Sequence, residues 1–142
     1  MILWRLCRRP FANLSGEGGR LYAGRWHSAG HPIIYTATEP ALAVLEVRVN
    51  LDLPFDLLPD DYVLLRLETP NEWHAEDVSD LPPQPRIFGD TWLASRRSCL
   101  LRVPSVVVPL ASNMLINPLH PDAGQIQIAG ITPFAFDARL WP

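Results

Sequence analysis

Hydrophobic and polar positions alternate over Ile2–Cys7 (ILWRLC), the two-residue period of a β-strand. Pro32–Thr36 and Tyr62–Glu68 (YVLLRLE) read the same way. So do Cys99–Val103 and Val106–Leu110, interrupted at Pro104-Ser105, and then Gln125–Ala129 and Thr132–Phe136. From Ala41 to Asn50 (ALAVLEVRVN) the apolar residues fall at the three- and four-residue spacings of a helix. Thr38 is placed to cap that helix, with Glu39 and Pro40 in its first turn, where a carboxylate and a missing N–H are both tolerated. Turns at Pro54 and Pro59 follow it, and Gly89–Arg97 predicts a second, short helix carrying Trp92. Two stretches lack periodicity. Arg8–Gly30 is a glycine-rich connection with aromatics set into it, and Thr69–Arg86 is polar and proline-rich, a surface excursion. Six or seven short strands and two or three helices, without an internal repeat or a linker, predict one α+β domain over residues 1–142.

A chain of 142 residues can bury a core without staples, and 48% hydrophobic content argues against disorder. No apolar run approaches the ~18 residues needed to span a bilayer, and the N-terminus lacks the pattern of a secretory signal. Cys7 and Cys99 do not make a disulfide framework, so a reduced, cytoplasmic protein is expected. A net charge of −3 argues against a nucleic-acid binder held by bulk charge. All 12 basic residues are arginine, which excludes a lysine nucleophile, a Schiff base or a phosphate-loop lysine. The 15 prolines are spread along the chain and punctuate a globular fold.

Within this frame Glu46 is the most informative residue. It shares a helix face with Leu42, Ala43 and Val49, where a carboxylate is expensive unless something positive or hydrogen-bonding meets it. Either it is a functional carboxylate or it forms a structural ion pair with one of the arginines. Arg25, in Gly24-Arg25-Trp26-His27-Ser28-Ala29-Gly30, has the planar fork that grips carboxylates and phosphates, among glycines that let the backbone approach an anion. A surface ion pair is its ordinary alternative. Tyr35, at the end of an apolar strand, offers a stacking face and a polar handle, or is half-buried core. The hydroxyl of Ser105, at a strand break, can bind a sugar or phosphate, or satisfy a backbone group in the turn.

Other combinations carry less. His27 and His31 are separated by Gly30 and followed by Pro32, so no helix presents them to a metal, and no metal site is expected. His74 and His120 have no second ligand nearby in sequence. Gly16-Glu17-Gly18-Gly19 has the wrong spacing for a phosphate loop or dinucleotide fingerprint, and no Gly-x-Ser-x-Gly elbow occurs. The Asn13-Leu14-Ser15 sequon is read as chance, and Arg96-Arg97 with Arg102 as a solvated basic face.

Taken in order, several blocks resemble the RES domain family, the toxins of RES–Xre toxin–antitoxin pairs. They are Gly24-Arg25-Trp26, Gly30-His31-Pro32-Ile33-Ile34-Tyr35, Glu39-Pro40-Ala41-Leu42-Ala43-Val44-Leu45-Glu46, Gly89-Asp90-x-Trp92-Leu93, Arg102-Val103-Pro104-Ser105 and Asn113-x-x-Ile116-Asn117-Pro118-x-His120. The blocks cover nearly the whole chain. The resemblance implies an ADP-ribosyltransferase-like fold and an enzyme acting on NAD⁺ as substrate, with no resident cofactor. It places the family's Arg, Glu and Ser on Arg25, Glu46 and Ser105, joined by Tyr35, with Trp26 among the nucleotide contacts. His27, where the family often has asparagine, and Ala37, where a small polar residue is usual, depart from the pattern.

That chemistry suits these residue types. Nicotinamide leaves NAD⁺ from a cationic pyridinium and becomes neutral, so one carboxylate that stabilises the oxocarbenium-like ribose is enough. The resemblance implies Glu46 at the cation and ribose hydroxyls, Arg25 on the pyrophosphate, Tyr35 stacked on nicotinamide, and Ser105 on ribose or phosphate. Water or phosphate would be the acceptor in a glycohydrolase or phosphorylase, a protein in an ADP-ribosyltransferase. A non-enzymatic nucleotide- or protein-binding module is the third reading. The implied partner is an Xre-type helix-turn-helix antitoxin that covers the active site in a hetero-oligomer. Neither a membrane nor direct nucleic-acid contact by this chain is expected.

Overall fold

Both strongly alternating segments form strands, β1 (Ile2–Arg8) and β3 (Tyr62–Glu68), paired antiparallel from Ile2 opposite Glu68 to Arg8 opposite Tyr62. The computed structural model describes residues 1–71 and 73–142; position 72, inside the Thr69–Arg86 excursion, lies outside the described residues. The remaining strands are β2 (Ile34–Ala37), β4 (Ala75–Asp77), β5 (Leu100–Pro104), β6 (Ser112–Ile116) and β7 (Gln127–Pro133), and the helices are α1 (Glu17–Leu21), α2 (Pro40–Asn50) and α3 (Pro85–Ser95). The strands make one mixed sheet in the order β4-β5-β6-β2-β1-β3-β7, antiparallel except for the short parallel pair β4–β5. The fold is α+β, as the pattern predicts.

Sheet register sorts the side chains. One face carries Leu3, Cys7, Ile34, Val63, Leu65, Leu67, Leu100, Met114 and Ile116, a continuous buried cluster covered by the Arg8–Gly30 connection through Phe11 and Leu14. Arg5 lies on that face too, and its guanidinium donates to the carbonyls of Phe11 and Asn13 (2.9 and 3.1 Å), pinning the connection down. The other face carries both long helices. Trp92 and Leu93 of α3 pack on Leu101, Val103 and Leu115. Leu42 and Ala43 of α2 pack beside Ala37 and Trp4, with Val44 and Val47 near Leu6 and Leu64.

At its centre the sheet is nearly divided. β1 and β2 meet in a single residue pair, Trp4 opposite Ala37, and part beyond it. Burying each large aliphatic side chain contributes about 1.5–3 kcal/mol, so both halves hold together through their packed faces without a full ladder between them. The gap opens beneath the space between α2 and α3.

Four sequence expectations need correction. Thr38 does not cap α2: Glu39 holds the cap position in an extended conformation without a side-chain cap bond, and Pro40 at the first helical position has no N–H to satisfy. Val106–Leu110 is a loop, because the N–H groups of Val107 and Val108 turn to the Ser105 hydroxyl (3.1 and 3.0 Å) in place of a strand partner. Gln125–Ala129 and Thr132–Phe136 are replaced by one strand, β7, which runs through Gly130 with a register shift opposite Arg66 and Leu67. Finally, α3 starts at Pro85, four residues before Gly89, and draws the end of the proline-rich excursion into a helix.

Candidate active site

A cleft of about 1120 Å³ lies over the parting of β1 and β2, walled by α2 on one side and by the N-terminal end of α3 with the Gly24–His27 turn on the other. Glu46, Arg25, Tyr35 and Trp26, separated in sequence by up to 21 positions, all line it, and Ser105 reaches it through Glu46.

On the α2 wall, Leu42 and Ala43 are buried, Val49 is 56% exposed, and Glu46 is half-buried between them. Glu46 therefore stands at the margin of the apolar stripe, facing the cleft, and the expected burial of Val49 does not occur. Its Oε1 accepts a hydrogen bond from Ser105 Oγ at 2.7 Å. Among the described residues no arginine pairs with it. Of the two alternatives open from sequence, the structural ion pair is thus removed. Ser105 is fully engaged: its one proton goes to Glu46, and its oxygen accepts from both Val107 and Val108 N–H.

On the opposite wall the turn is held by a chain of hydrogen bonds. Gly24 N–H donates to the His27 carbonyl (3.1 Å), and Trp26 N–H donates to the Tyr35 hydroxyl (3.1 Å). His27 Nε2 lies 2.7 Å from the Gly19 carbonyl and Nδ1 2.7 Å from the Tyr35 hydroxyl. A carbonyl can only accept, so Nε2 carries a proton; in the neutral imidazole Nδ1 then accepts, and the Tyr35 O–H donates to it. Burial pushes the Tyr35 phenol up to about 12, against the Trp26 hydrogen bond and the neighbouring Arg86 and Arg25 charges. A side chain at position 24 would place its Cβ 2.5 Å from the Tyr35 oxygen, so this approach requires glycine.

Asp90 of α3 clamps the end of the turn, accepting from Ser28 N–H (2.8 Å) and Ser28 Oγ (2.6 Å). Burial works against its charge, but these hydrogen bonds outweigh it and hold the carboxyl below its usual range. Trp26 lines the cleft only by its edge. The residue is 3% exposed and its indole packs edge-on against Phe88, which anchors the turn in the core.

Arg25 is exposed, with no carboxylate partner among the described residues. Beside it lies Arg86, which the sequence assigned to a surface excursion; its Nε donates to the Gly24 carbonyl at 3.1 Å. Sequence reasoning weighed His27 as a metal ligand and as a departure from the family pattern, and did not foresee its contact with Tyr35. The sole signal for its part was its position next to Trp26, and for Asp90 its place in the Gly89-Asp90 block. Among the described residues no group of three or more His, Cys, Asp or Glu could hold a metal, and no helix is long and apolar enough to cross a membrane. Cys7 and Cys99 are buried free thiols.

Residues 2–137 match the RES domain family. "Toxin Res" of Pseudomonas putida is 41% identical over 150 aligned residues, covering 99% of this chain and 100% of that protein. The "Prs ADP-ribosylating toxin" of Sphingobium sp. is 38% identical, over 90% of this chain and 86% of its own length. Among solved structures, the M. tuberculosis MbcT-MbcA toxin-antitoxin complex contains a chain superposing with a TM-score of 0.71 at 20% identity, over 94% of this chain and 84% of that one, a likeness of fold.

Proposed function

The chain belongs to the RES domain family, and on that premise we propose that it is the toxin of a toxin–antitoxin pair and cleaves the nicotinamide–ribose bond of NAD⁺. The observation that carries this is the state of Glu46: in a chain rich in arginine, its carboxylate is hydrogen-bonded by a serine and stands in a cleft without a countercation from the described residues. A carboxylate kept free of an ion pair keeps its charge for a cation that arrives with the substrate.

In the reaction, the bond between ribose C1′ and the pyridinium nitrogen breaks, and its electron pair neutralises the leaving nicotinamide. The ribose acquires oxocarbenium character, which Glu46 stabilises, and an oxygen of the acceptor bonds to C1′. Water as acceptor loses a proton and gives ADP-ribose; phosphate gives its phosphorylated form. Arg25 holds the pyrophosphate. The Tyr35 ring lines the cleft while its hydroxyl is committed to His27, which suits it to stacking on nicotinamide. Ser105, expected on ribose or phosphate, is a positioning residue here, since its hydroxyl is saturated in holding Glu46.

Relatives named for toxins and a structural neighbour solved with an antitoxin support an antitoxin partner. An Xre-type helix-turn-helix protein that covers the cleft would keep the enzyme silent, and two free thiols fit action in the cytoplasm.

Purified protein incubated with NAD⁺ should release nicotinamide, and Glu46→Gln should slow release about a thousandfold while leaving the melting temperature unchanged. Ser105→Ala should lower kcat with little change in KM, and Ser105→Thr should restore it. Release by Glu46→Gln at the wild-type rate overturns the assignment. A second reading, transfer to a protein, is favoured by the Sphingobium relative's name. Adenine-labelled NAD⁺ separates the two: label on a protein band supports transfer, and free ADP-ribose or its phosphorylated form supports degradation.

A further inference from the structure

Arg86 stands out among the groups that the sequence did not single out. It lies in the first turn of α3 and lines the same cleft as Arg25. Its natural partner on the helix would be Asp90, four residues on. Both Asp90 oxygens are committed to Ser28, and among the described residues no other carboxylate pairs with Arg86. Its Nε–H goes to the carbonyl of Gly24, the residue directly before Arg25, which fixes the guanidinium beside that turn and leaves its other four N–H donors without an acceptor among the described residues. Arg86 and Arg25 both work against the burial of the Tyr35 phenol, while Asp90 works with it. Two guanidiniums line one cleft while the nearest carboxylates are hydrogen-bonded by serines, and this leaves donors on both for a doubly charged anion.

We propose that Arg86 is a second anion-binding residue of the cleft and that Arg25 and Arg86 together take the two phosphates of a nucleoside diphosphate group. The assignment deepens the NAD⁺ reading and rests on it for the identity of the substrate, though the anion site itself can be tested apart from cleavage.

The probe is ADP, titrated calorimetrically into the full-length protein. Wild type should bind it with an affinity that falls as salt is raised. Arg86→Gln should weaken binding about tenfold and flatten the salt dependence. Arg86→Lys, which keeps the charge without the Gly24 hydrogen bond, should recover part of the loss. Unchanged ADP affinity in Arg86→Gln overturns the proposal, as does an absence of ADP binding by wild type. It also falls if Lys and Gln lose affinity alike with the salt dependence intact, since Arg86 would then be only a strap for the turn. Nicotinamide release from NAD⁺ by wild type reports separately on the cleavage reading: ADP binding that depends on Arg86 without any release leaves the anion site standing and removes the reaction.

Discussion

Two groups of arginines in this protein contrast, one at the outer parts of the fold and one at the cleft. Outside, Arg8 pairs with Asp61, Arg97 with Glu76 and Arg139 with Asp137, each through two nitrogen–oxygen contacts of about 2.8–3.0 Å. These pairs are largely exposed, and water screens what each contributes. At the cleft, Arg25 and Arg86 have no carboxylate partner among the described residues, while the carboxylates nearby, Glu46 and Asp90, are engaged by serines. Residue type therefore says little here. What sets Arg25 and Arg86 apart from Arg8, Arg97 and Arg139 is that they line the cleft and that the acids nearest them are hydrogen-bonded by serines.

Three substitutions test how far that contrast goes. The largest effect is expected at Gly89, where an added Cβ would lie 1.7 Å from the Trp26 carbonyl oxygen. Alanine ordinarily favours a helix over glycine by about 0.5–1 kcal/mol, but here α3 would be driven off the turn. Gly89→Ala should destabilise by about 3 kcal/mol, read by denaturant unfolding, and should remove ADP binding by displacing both cleft arginines. A stability equal to wild type would show that the α3–turn contact does not hold the cleft.

A smaller effect is expected at Tyr35. Tyr35→Phe removes the partner of Trp26 N–H and His27 and should destabilise by about 1–3 kcal/mol near neutral pH. The raised phenol gives that loss a pH signature. Neutral Tyr35 stabilises the fold fully below its ordinary value of 10, and the contribution drains as pH rises toward about 12. The stability gap between wild type and Tyr35→Phe should therefore narrow from pH 10 to 12. The Cys99 thiol, pushed by burial from 9 to about 12, weakens both proteins equally over part of that range and cancels in the difference. Parallel curves would mean that the hydroxyl is not buried as described.

The smallest effect belongs to the outer setting. Arg97→Gln should change stability by less than about 1 kcal/mol and leave ADP affinity as in wild type. A tenfold loss of affinity there would erase the contrast between the two groups of arginines.

Much of the architecture was legible because periodicity is local. β1 and β3 follow their alternation almost to the residue, and α2 follows its helical spacing. Legibility failed where one side chain redirected the backbone: the Ser105 hydroxyl draws the N–H groups of Val107 and Val108 out of an otherwise convincing β pattern. It failed again at Gly130, where a register shift carried one strand through an expected break. At the cleft, Glu46 was legible as a polar residue in an apolar helix, and Arg25, Tyr35 and Ser105 through their place in ordered blocks. Arg86 was not, since nothing in a proline-rich stretch marks one arginine of twelve.

By itself, then, the sequence determined the α+β class, the strands and helix with clear periods, and a carboxylate that ordinary packing does not explain. The tertiary structure alone decided that β1 and β2 part after one residue pair, that α3 begins at Pro85 and brings Arg86 beside Arg25, and that Ser105 reaches Glu46 across 59 positions. The physical reason is range: side-chain periodicity is set by neighbours along the chain, whereas which charge meets which partner depends on groups that only folding brings within hydrogen-bond distance.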